Sequence, residues 1–205
     1  MKVGIVNYGL GNVKSVKSSF EFLGYDAFLC QSESDFNETT HIVLPGVGSF
    51  NRAINLINEM KLKDVLQNEV ILKKKPTLGI CLGLQLMAKQ SFEYGKHKGF
   101  SWFDGDIVKL PETEKKLKLP NIGWETVKLN SSSLFKGLSG TSDFYFVHSY
   151  HIVSIPEEQI IATYKLGDKT IVAAIKQDNI VATQFHPEKS QDNGLKLIEN
   201  FMQMK

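Results

Sequence analysis

Two kinds of periodic segment alternate along the first half of the chain. Short, mostly apolar runs predict strands at residues 2–6, 26–29, 41–44 and 77–80, and the run at residues 2–6 is interpreted as a buried strand. Apolar residues spaced three or four apart predict helices, at residues 13–23, 50–60, 62–72 and 82–92. This alternation is typical of a mostly parallel central sheet that helices cover on both faces.

The second half of the chain changes to a strand-rich pattern. Strands are predicted at residues 106–110, 126–129, 144–153, 160–164, 170–176 and 180–184, with turn signals at residues 167–168 and 177–179. A last amphipathic helix is predicted at residues 191–202. With no linker or repeat between the halves, we expect one α/β domain over residues 1–205, whose sheet continues into an antiparallel extension.

Composition narrows the possible functions. The chain has 205 residues and a net charge of +2, and Arg52 is its only arginine, so nucleic acid and anionic membranes are poor candidate partners. The apolar run at the N-terminus is too short for a signal peptide, and no run reaches the length of a membrane helix. The two cysteines, Cys30 and Cys81, make no disulfide framework, which favours a cytoplasmic protein.

Cys81 lies where a nucleophile would be expected. It follows a predicted strand, precedes a predicted helix, and stands between Gly79 and Gly83. A sharp strand-to-helix turn of this kind exposes a nucleophile, and the helix N-terminus favours a thiolate. A small buried apolar cysteine is the alternative.

A histidine and a carboxylate far downstream complete a candidate triad. His186 can take the thiol proton and Glu188 can orient the imidazole. In a strand-like segment these two residues, two apart, project to the same side, while Pro187 restricts the backbone between them. The sequence therefore predicts a Cys-His-Glu triad.

An acyl-transfer site also needs donors for an oxyanion. One is expected from the backbone N–H of Leu82, and a second from the loop that contains Gly46, Val47 and Gly48. The alternative for this loop is an ordinary turn before the helix at Phe50.

Other candidate chemistry is weak. His148 sits within a strand pattern and is interpreted as a structural histidine, and His151 is left unassigned. No cysteines or histidines have metal-ligand spacing, so no metal is expected. Residues 7–12 lack the full dinucleotide fingerprint, so no nucleotide cofactor is expected either.

Residues 79–85 together with 186–188 resemble the class I (triad-type) glutamine amidotransferases. Residues 7–12, 45–48, 120–124, 145–150 and 185–190 are more specifically similar to the glutaminase subunits of imidazole glycerol phosphate synthase. The resemblance implies the class I glutamine amidotransferase fold and hydrolysis of L-glutamine to glutamate and ammonia without a cofactor. It also implies a set of glutamine-binding residues: Gly46, Gln85, Glu93, Ser149 and Tyr150. Without the resemblance, Gln85 and Glu93 would be interpreted as solvated polar residues.

The resemblance further implies a partner subunit. In that family ammonia passes to a (β/α)₈ cyclase, which makes imidazole glycerol phosphate and AICAR in histidine biosynthesis, and the peptide at Val47 and Gly48 stays unproductive until the cyclase binds its ligand. The positions expected to face this partner are Asn12, Trp124, Tyr145 and Lys189.

Some residues depart from the family pattern. Glu125 replaces an asparagine, and His151 and the lysine-rich segment 112–118 are atypical. One alternative is therefore a paralogous glutaminase that supplies ammonia to a synthetase amidinating a surface sugar. A catalytically silent interaction module, which the complete triad argues against, is another. A stand-alone cysteine hydrolase or peptidase is a third, and Gln85 and Trp124 argue against it.

Overall fold

The structure is a computed structural model that describes residues 1–111 and 119–205, so the lysine-rich segment 112–118 lies outside the described residues. The strands are Lys2–Val6 (β1), Asp26–Cys30 (β2), His41–Leu44 (β3), Thr77–Ile80 (β4), Ala88–Ser91 (β5), His97–Lys98 (β6), Phe103–Lys109 (β7), Asn121–Leu129 (β8), Thr141–His148 (β9), Tyr150–Val153 (β10), Ile160–Leu166 (β11), Lys169–Gln177 (β12) and Ile180–Thr183 (β13). The helices are Val13–Phe22 (α1), Phe50–Glu59 (α2), Leu62–Leu66 (α3), Leu82–Met87 (α4) and Gln191–Phe201 (α5).

A large mixed sheet dominates the described part of the chain. Its strand order is β2-β1-β3-β4-β13-β12-β11-β8-β9. The pairings from β2 to β13 are parallel, and those from β13 to β9 are antiparallel. The predicted parallel sheet with an antiparallel extension is therefore confirmed.

The apolar runs form central strands because both faces of the sheet are covered. Val43 packs on one face with Phe20 of α1 and Phe201 of α5. Its neighbours Ile42 and Leu44 pack on the opposite face, in the cluster that contains α2 and α4. Successive strand side chains point to opposite faces, so a strand buried on both sides is apolar at most of its positions.

A second, smaller sheet has the order β10-β7-β5-β6 among the described residues. It corrects the predicted helix 82–92, since α4 ends at Met87 and the next residues form β5. The peptide N–H groups of Phe100 and Trp102 donate to the carbonyls of Leu86 and Met87, at 2.8 and 2.9 Å. Pairing with a distant segment thus replaces the next helical turn.

Two further predictions are wrong in detail. The predicted strand 144–153 is two strands in two sheets, separated at Ser149, whose carbonyl accepts from the Leu110 N–H at 2.8 Å. The predicted helix 62–72 is α-helical only over α3 and continues as a π-helical turn over Gln67–Leu72. No helix in residues 1–111 or 119–205 is long and apolar enough to cross a membrane.

Candidate active site

Cys81 lies on a sharp turn between β4 and α4. Its φ and ψ of 54° and −106° are a conformation that non-glycine residues rarely adopt. The Cys81 N–H donates to the Thr183 carbonyl of β13 at 2.8 Å, which ties the turn to the neighbouring strand. A Cβ at Gly83 would lie 1.8 Å from the Leu44 carbonyl oxygen, so only glycine lets α4 approach β3 this closely.

His186 and Glu188 form a buried pair. Nδ1 of His186 lies 2.8 Å from Oε1 of Glu188, and both side chains are only 2% exposed. The prediction that these residues are neighbours is met, but its structural reason is wrong. His186 instead caps a short 3₁₀ turn over Pro187–Lys189, which folds Glu188 back onto the imidazole.

The electrostatic setting favours a charged imidazole at His186. Burial by itself lowers the pKa of His186, but interactions with Cys81 and with Glu188 outweigh it and raise the pKa to about 10. Within the described residues, Nε2 of His186 has no hydrogen-bond partner. The ring can therefore exchange a proton at Nε2 while Glu188 holds Nδ1.

Besides His186, the Cys81 sulfur has two further polar neighbours. It lies 3.8 Å from the Val147 carbonyl oxygen, to which the thiol can donate, and 3.7 Å from Nε2 of Gln184, which donates to it. Sequence reasoning missed Gln184. The available signal was its position directly after β13. The parallel strands β4 and β13 end side by side, with Thr183 paired to Ile80, so the next residues, Gln184 and Cys81, lie at the same edge of the sheet.

The sulfur opens onto a cavity of about 470 Å³. Its lining includes most of the predicted site: Val47, Gly48, Cys81, Leu82, Gln85, Glu93, Ser149, Tyr150 and Lys189. Leu82 is the first residue of α4, where backbone N–H groups have no intrahelical acceptor. Gly48 has a φ of +101°, so the loop opposite Leu82 depends on a conformation that glycine adopts readily.

The predicted glutamine-binding residues also converge here. Gln85 is buried and its Nε2 donates to the Tyr150 carbonyl at 3.0 Å. Oε2 of Glu93 accepts from the backbone N–H of Phe50 at 2.6 Å, at the start of α2. Gly46 is buried against Tyr8, whose hydroxyl donates to the Pro45 carbonyl at 2.9 Å. The loop before α2 is thus held at both of its ends.

His148 and His151 are both buried and neutral. Burial lowers the pKa of each to about 4. Nδ1 of His148 lies 2.9 Å from the Tyr150 carbonyl and Nε2 lies 3.0 Å from the Tyr164 hydroxyl, which agrees with a structural histidine. Nδ1 of His151 has no partner among the described residues.

Three of the four predicted partner-facing residues lie in one cluster around the Tyr145 ring. Trp124 is 47% exposed and meets the Tyr145 ring edge-on at 6.1 Å, and Nζ of Lys189 lies 5.6 Å from the same ring. Asn12 is exposed and caps α1, and its neighbour Gly11 packs against Gly46. In the described ranges, no three His, Cys, Asp or Glu side chains are grouped to hold a metal ion.

Comparisons with known proteins agree with this geometry. The family "Glutamine amidotransferase class-I" matches residues 5–204. Imidazole glycerol phosphate synthase subunit HisH 1 from Campylobacter jejuni subsp. jejuni serotype O:23/36 (strain 81-176) is 40% identical over 203 residues, 98% of this chain and 100% of that one. Subunit HisH from Pelagibacter ubique is 39% identical, with both chains covered completely.

Solved structures share the fold. A glutamine amidotransferase aligns with a TM-score of 0.75 and 19% identity over 98% of both chains. PurLQS from Thermotoga maritima aligns with a TM-score of 0.75 and 14% identity, over 98% of this chain and 97% of that one. The fold class predicted from the sequence is therefore confirmed.

Proposed function

The chain belongs to the class I glutamine amidotransferase family, and we propose that it is the glutaminase subunit of an imidazole glycerol phosphate synthase, with Cys81, His186 and Glu188 as its catalytic triad. The observation that carries this proposal is the cavity at the Cys81 turn. A strained cysteine faces that cavity at a helix N-terminus, and it interacts with an imidazole whose far nitrogen is held by a buried carboxylate.

Catalysis begins with the Cys81 thiol. Its proton moves to Nε2 of His186, and the sulfur then forms a bond to the side-chain amide carbon of glutamine. Glu188 accepts from Nδ1–H, which keeps Nε2 free to take that proton and stabilises the imidazolium that results. The amide C=O double bond becomes a single C–O⁻ bond in the tetrahedral intermediate.

The oxyanion is stabilised by backbone donors. The Leu82 N–H supplies one, and an N–H of the loop at Val47 and Gly48 supplies the other. Leu82 and the loop residues Val47 and Gly48 line the same cavity, which supports this assignment of the oxyanion donors. The glycine at residue 48 also suits a peptide that reorients when the partner binds its own ligand.

The intermediate collapses with loss of ammonia. The imidazolium of His186 returns its proton to the leaving nitrogen, the C–N bond breaks, and a glutamyl thioester remains on Cys81. His186 next removes a proton from water, which attacks the thioester carbon and releases glutamate and the Cys81 sulfur. The balance is glutamine plus water giving glutamate plus ammonia.

Glutamine is held by the polar groups around the cavity. The carboxylate of Glu93 suits the α-ammonium group of the substrate, since opposite charges attract strongly in a partly enclosed site. Gln85, Ser149 and Tyr150 supply the remaining polar lining, and Gly46 supports the loop beside them. Because the site draws on both halves of the sequence, we treat residues 1–205 as one catalytic domain.

Ammonia then passes to a partner subunit of (β/α)₈ type. A half-exposed tryptophan braced by Tyr145 is suited to anchor an interface, and Lys189 joins this cluster to the cavity lining. We place Asn12 on the same interface. The relatives at about 40% identity carry the name of the imidazole glycerol phosphate synthase subunit, which favours the histidine-pathway cyclase over a sugar-modifying synthetase.

The test measures ammonia release from glutamine by the full chain, alone and with the cyclase encoded in the same genome. The wild-type chain should hydrolyse glutamine when the cyclase and the cyclase ligand are present. The Cys81→Ser variant should release no ammonia but should still bind the cyclase. Cys30→Ser is the matched control and should retain activity, because Cys30 is the second buried cysteine and lies on β2, outside the cavity lining. Turnover by Cys81→Ser would refute the nucleophile. Turnover only with a sugar-modifying synthetase would refute the pathway.

A further inference from the structure

Gln184 is a buried polar side chain to which the triad assigns no role. It is 1% exposed, and its Nε2 lies 3.7 Å from the Cys81 sulfur, within the range of an N–H···S hydrogen bond. Buried amides are retained when their hydrogen bonds are satisfied, so both ends of this side chain need partners.

The orientation of the Gln184 amide follows from a chain of hydrogen bonds. The Tyr150 carbonyl can only accept, so the Gln85 group beside it must be the –NH₂. The same Gln85 Nε2 lies 3.3 Å from Gln184, and it donates there as well. The Gln184 atom that faces Gln85 is therefore the oxygen, and the –NH₂ of Gln184 faces the sulfur.

His148 reinforces the start of this chain. As a neutral ring it donates from Nδ1 to the same Tyr150 carbonyl, at 2.9 Å, and accepts at Nε2 from the Tyr164 hydroxyl at 3.0 Å. Asn121 in turn donates to the Tyr164 oxygen at 3.4 Å. The carbonyl that orients Gln85 is thus itself fixed by a satisfied buried network.

We propose that Gln184 is a further catalytic residue, whose amide N–H stabilises the Cys81 sulfur as a thiolate before attack and again when the thioester breaks. The thiol can donate to the Val147 carbonyl, but a thiolate cannot, and it needs donors instead. Gln184 supplies one without moving a proton, and it remains in place when His186 turns toward the leaving nitrogen. The role depends on the proposed function, since it requires Cys81 to be the nucleophile.

The test follows alkylation of the cysteines by iodoacetamide in the purified full chain, from acid to alkaline pH, with mass spectrometry to assign each label. Gln184→Met matches the side chain in size but removes the donor. Gln184→Glu keeps an oxygen for Gln85 and loses the donor when ionised. In both variants we expect Cys81 labelling at neutral pH to be about tenfold slower, with the midpoint of the pH profile moved upward, as for loss of a hydrogen bond to a charged group.

Two controls separate this effect from damage to the fold. Gln159→Met removes an amide from an exposed Gln159–Gln177 pair, a matched change away from the site, and should label like wild type. Cys30 is a buried thiol whose pKa burial raises to about 12, so it should stay unlabelled in every intact variant. If Gln184→Met exposes Cys30, the labelling rate of Gln184→Glu, which conserves shape, decides the role of Gln184.

The proposed role of Gln184 would be overturned if Cys81 in the Gln184 variants were alkylated at the wild-type rate and with the wild-type pH profile while Cys30 stayed unlabelled. Alkylation needs no glutamine, so the proposed function fails separately, if the wild-type chain with its cyclase releases no ammonia. The two results are therefore distinguishable.

Discussion

Gly83→Ala should destabilise the protein although it adds a better helix former. Gly83 is the second residue of α4, where alanine is intrinsically favoured over glycine by about 1 kcal/mol. In this fold the added Cβ would lie 1.8 Å from the Leu44 carbonyl oxygen and 2.9 Å from its carbon. Helix propensity therefore predicts that the added methyl group raises the free energy of unfolding, whereas packing predicts that it lowers the free energy of unfolding.

The structure sets the scale of the effect. Restoring a 3.0 Å separation requires β3 and α4 to move apart by about 1.2 Å, and both obstructing groups are backbone. Overpacking of this kind costs about 3 kcal/mol, the upper part of its usual range, which leaves about 2 kcal/mol after the helix gain. For a chain of this length the melting temperature should fall by about 4–8 °C.

The displacement should also harm catalysis. Leu44 leads into the loop with Val47 and Gly48, while α4 carries Cys81 at its start, so moving β3 and α4 apart separates the proposed nucleophile from the proposed oxyanion donors. A misplacement of about 1 Å can cost about 100-fold in rate. Glutamine turnover in the complex should fall by about that factor.

Thermal unfolding followed by circular dichroism, together with ammonia release, checks both expectations. Gly140→Ala is the control, because a Cβ there meets nothing within 4 Å, and it should change stability by less than about 0.5 kcal/mol. A Gly83→Ala protein that melts at or above the wild-type temperature with full turnover would refute the packing argument.

Three other perturbations test the site and its surroundings. Glu188→Gln should lower the pKa of His186 from about 10 and reduce glutamine turnover by about 100-fold or more. The glutamine amide can donate to Nδ1 of His186, which leaves the ring proton on Nε2, where the thiol proton would have to go. A pH–rate series checks this, and unchanged rates would contradict the triad. Trp124→Ala should weaken cyclase binding by about 30-fold in calorimetry while the melting temperature of the free chain stays within a few degrees; equal affinity would remove Trp124 from the interface. His148 and His151 have folded pKa values near 4, below their unfolded value of about 6.5, so the free energy of unfolding should fall as pH drops from about 6.5 to 4. Urea titrations at several pH values should show that His151→Leu makes this dependence on pH less steep. The same dependence in the variant and the wild type would show that His151 does not contribute.

The strands of the parallel half were predictable because their evidence is local. Residues 2–6, 41–44 and 77–80 are apolar at all but their first position, and β1, β3 and β4 have these bounds. The turn at Cys81 was equally predictable, since the glycine at residue 83 and the change of periodicity both lie within a few residues of the sulfur. A strand buried on both faces can be recognised from its own residues, because most of them are apolar.

Segments whose partners lie elsewhere in the chain were predicted poorly. Residues 88–91 continue a helical pattern, yet they become β5 because β6 and β7 supply its hydrogen bonds. The run 144–153 has the pattern of one strand, and the change of sheet at Ser149 leaves no signal in an alternating pattern. Local propensity is weak enough for pairing with distant strands to override it.

The sequence by itself determined which groups are candidates for the chemistry: one thiol on a sharp turn, one imidazole and one carboxylate. Only the tertiary structure decided how they meet, because Glu188 reaches His186 through a 3₁₀ turn and Gln184 reaches the sulfur through the register of β4 and β13. Side-chain identity is carried by single residues, whereas contact between them depends on how separate segments pair, and pairing is settled by the burial and hydrogen bonding of the whole chain.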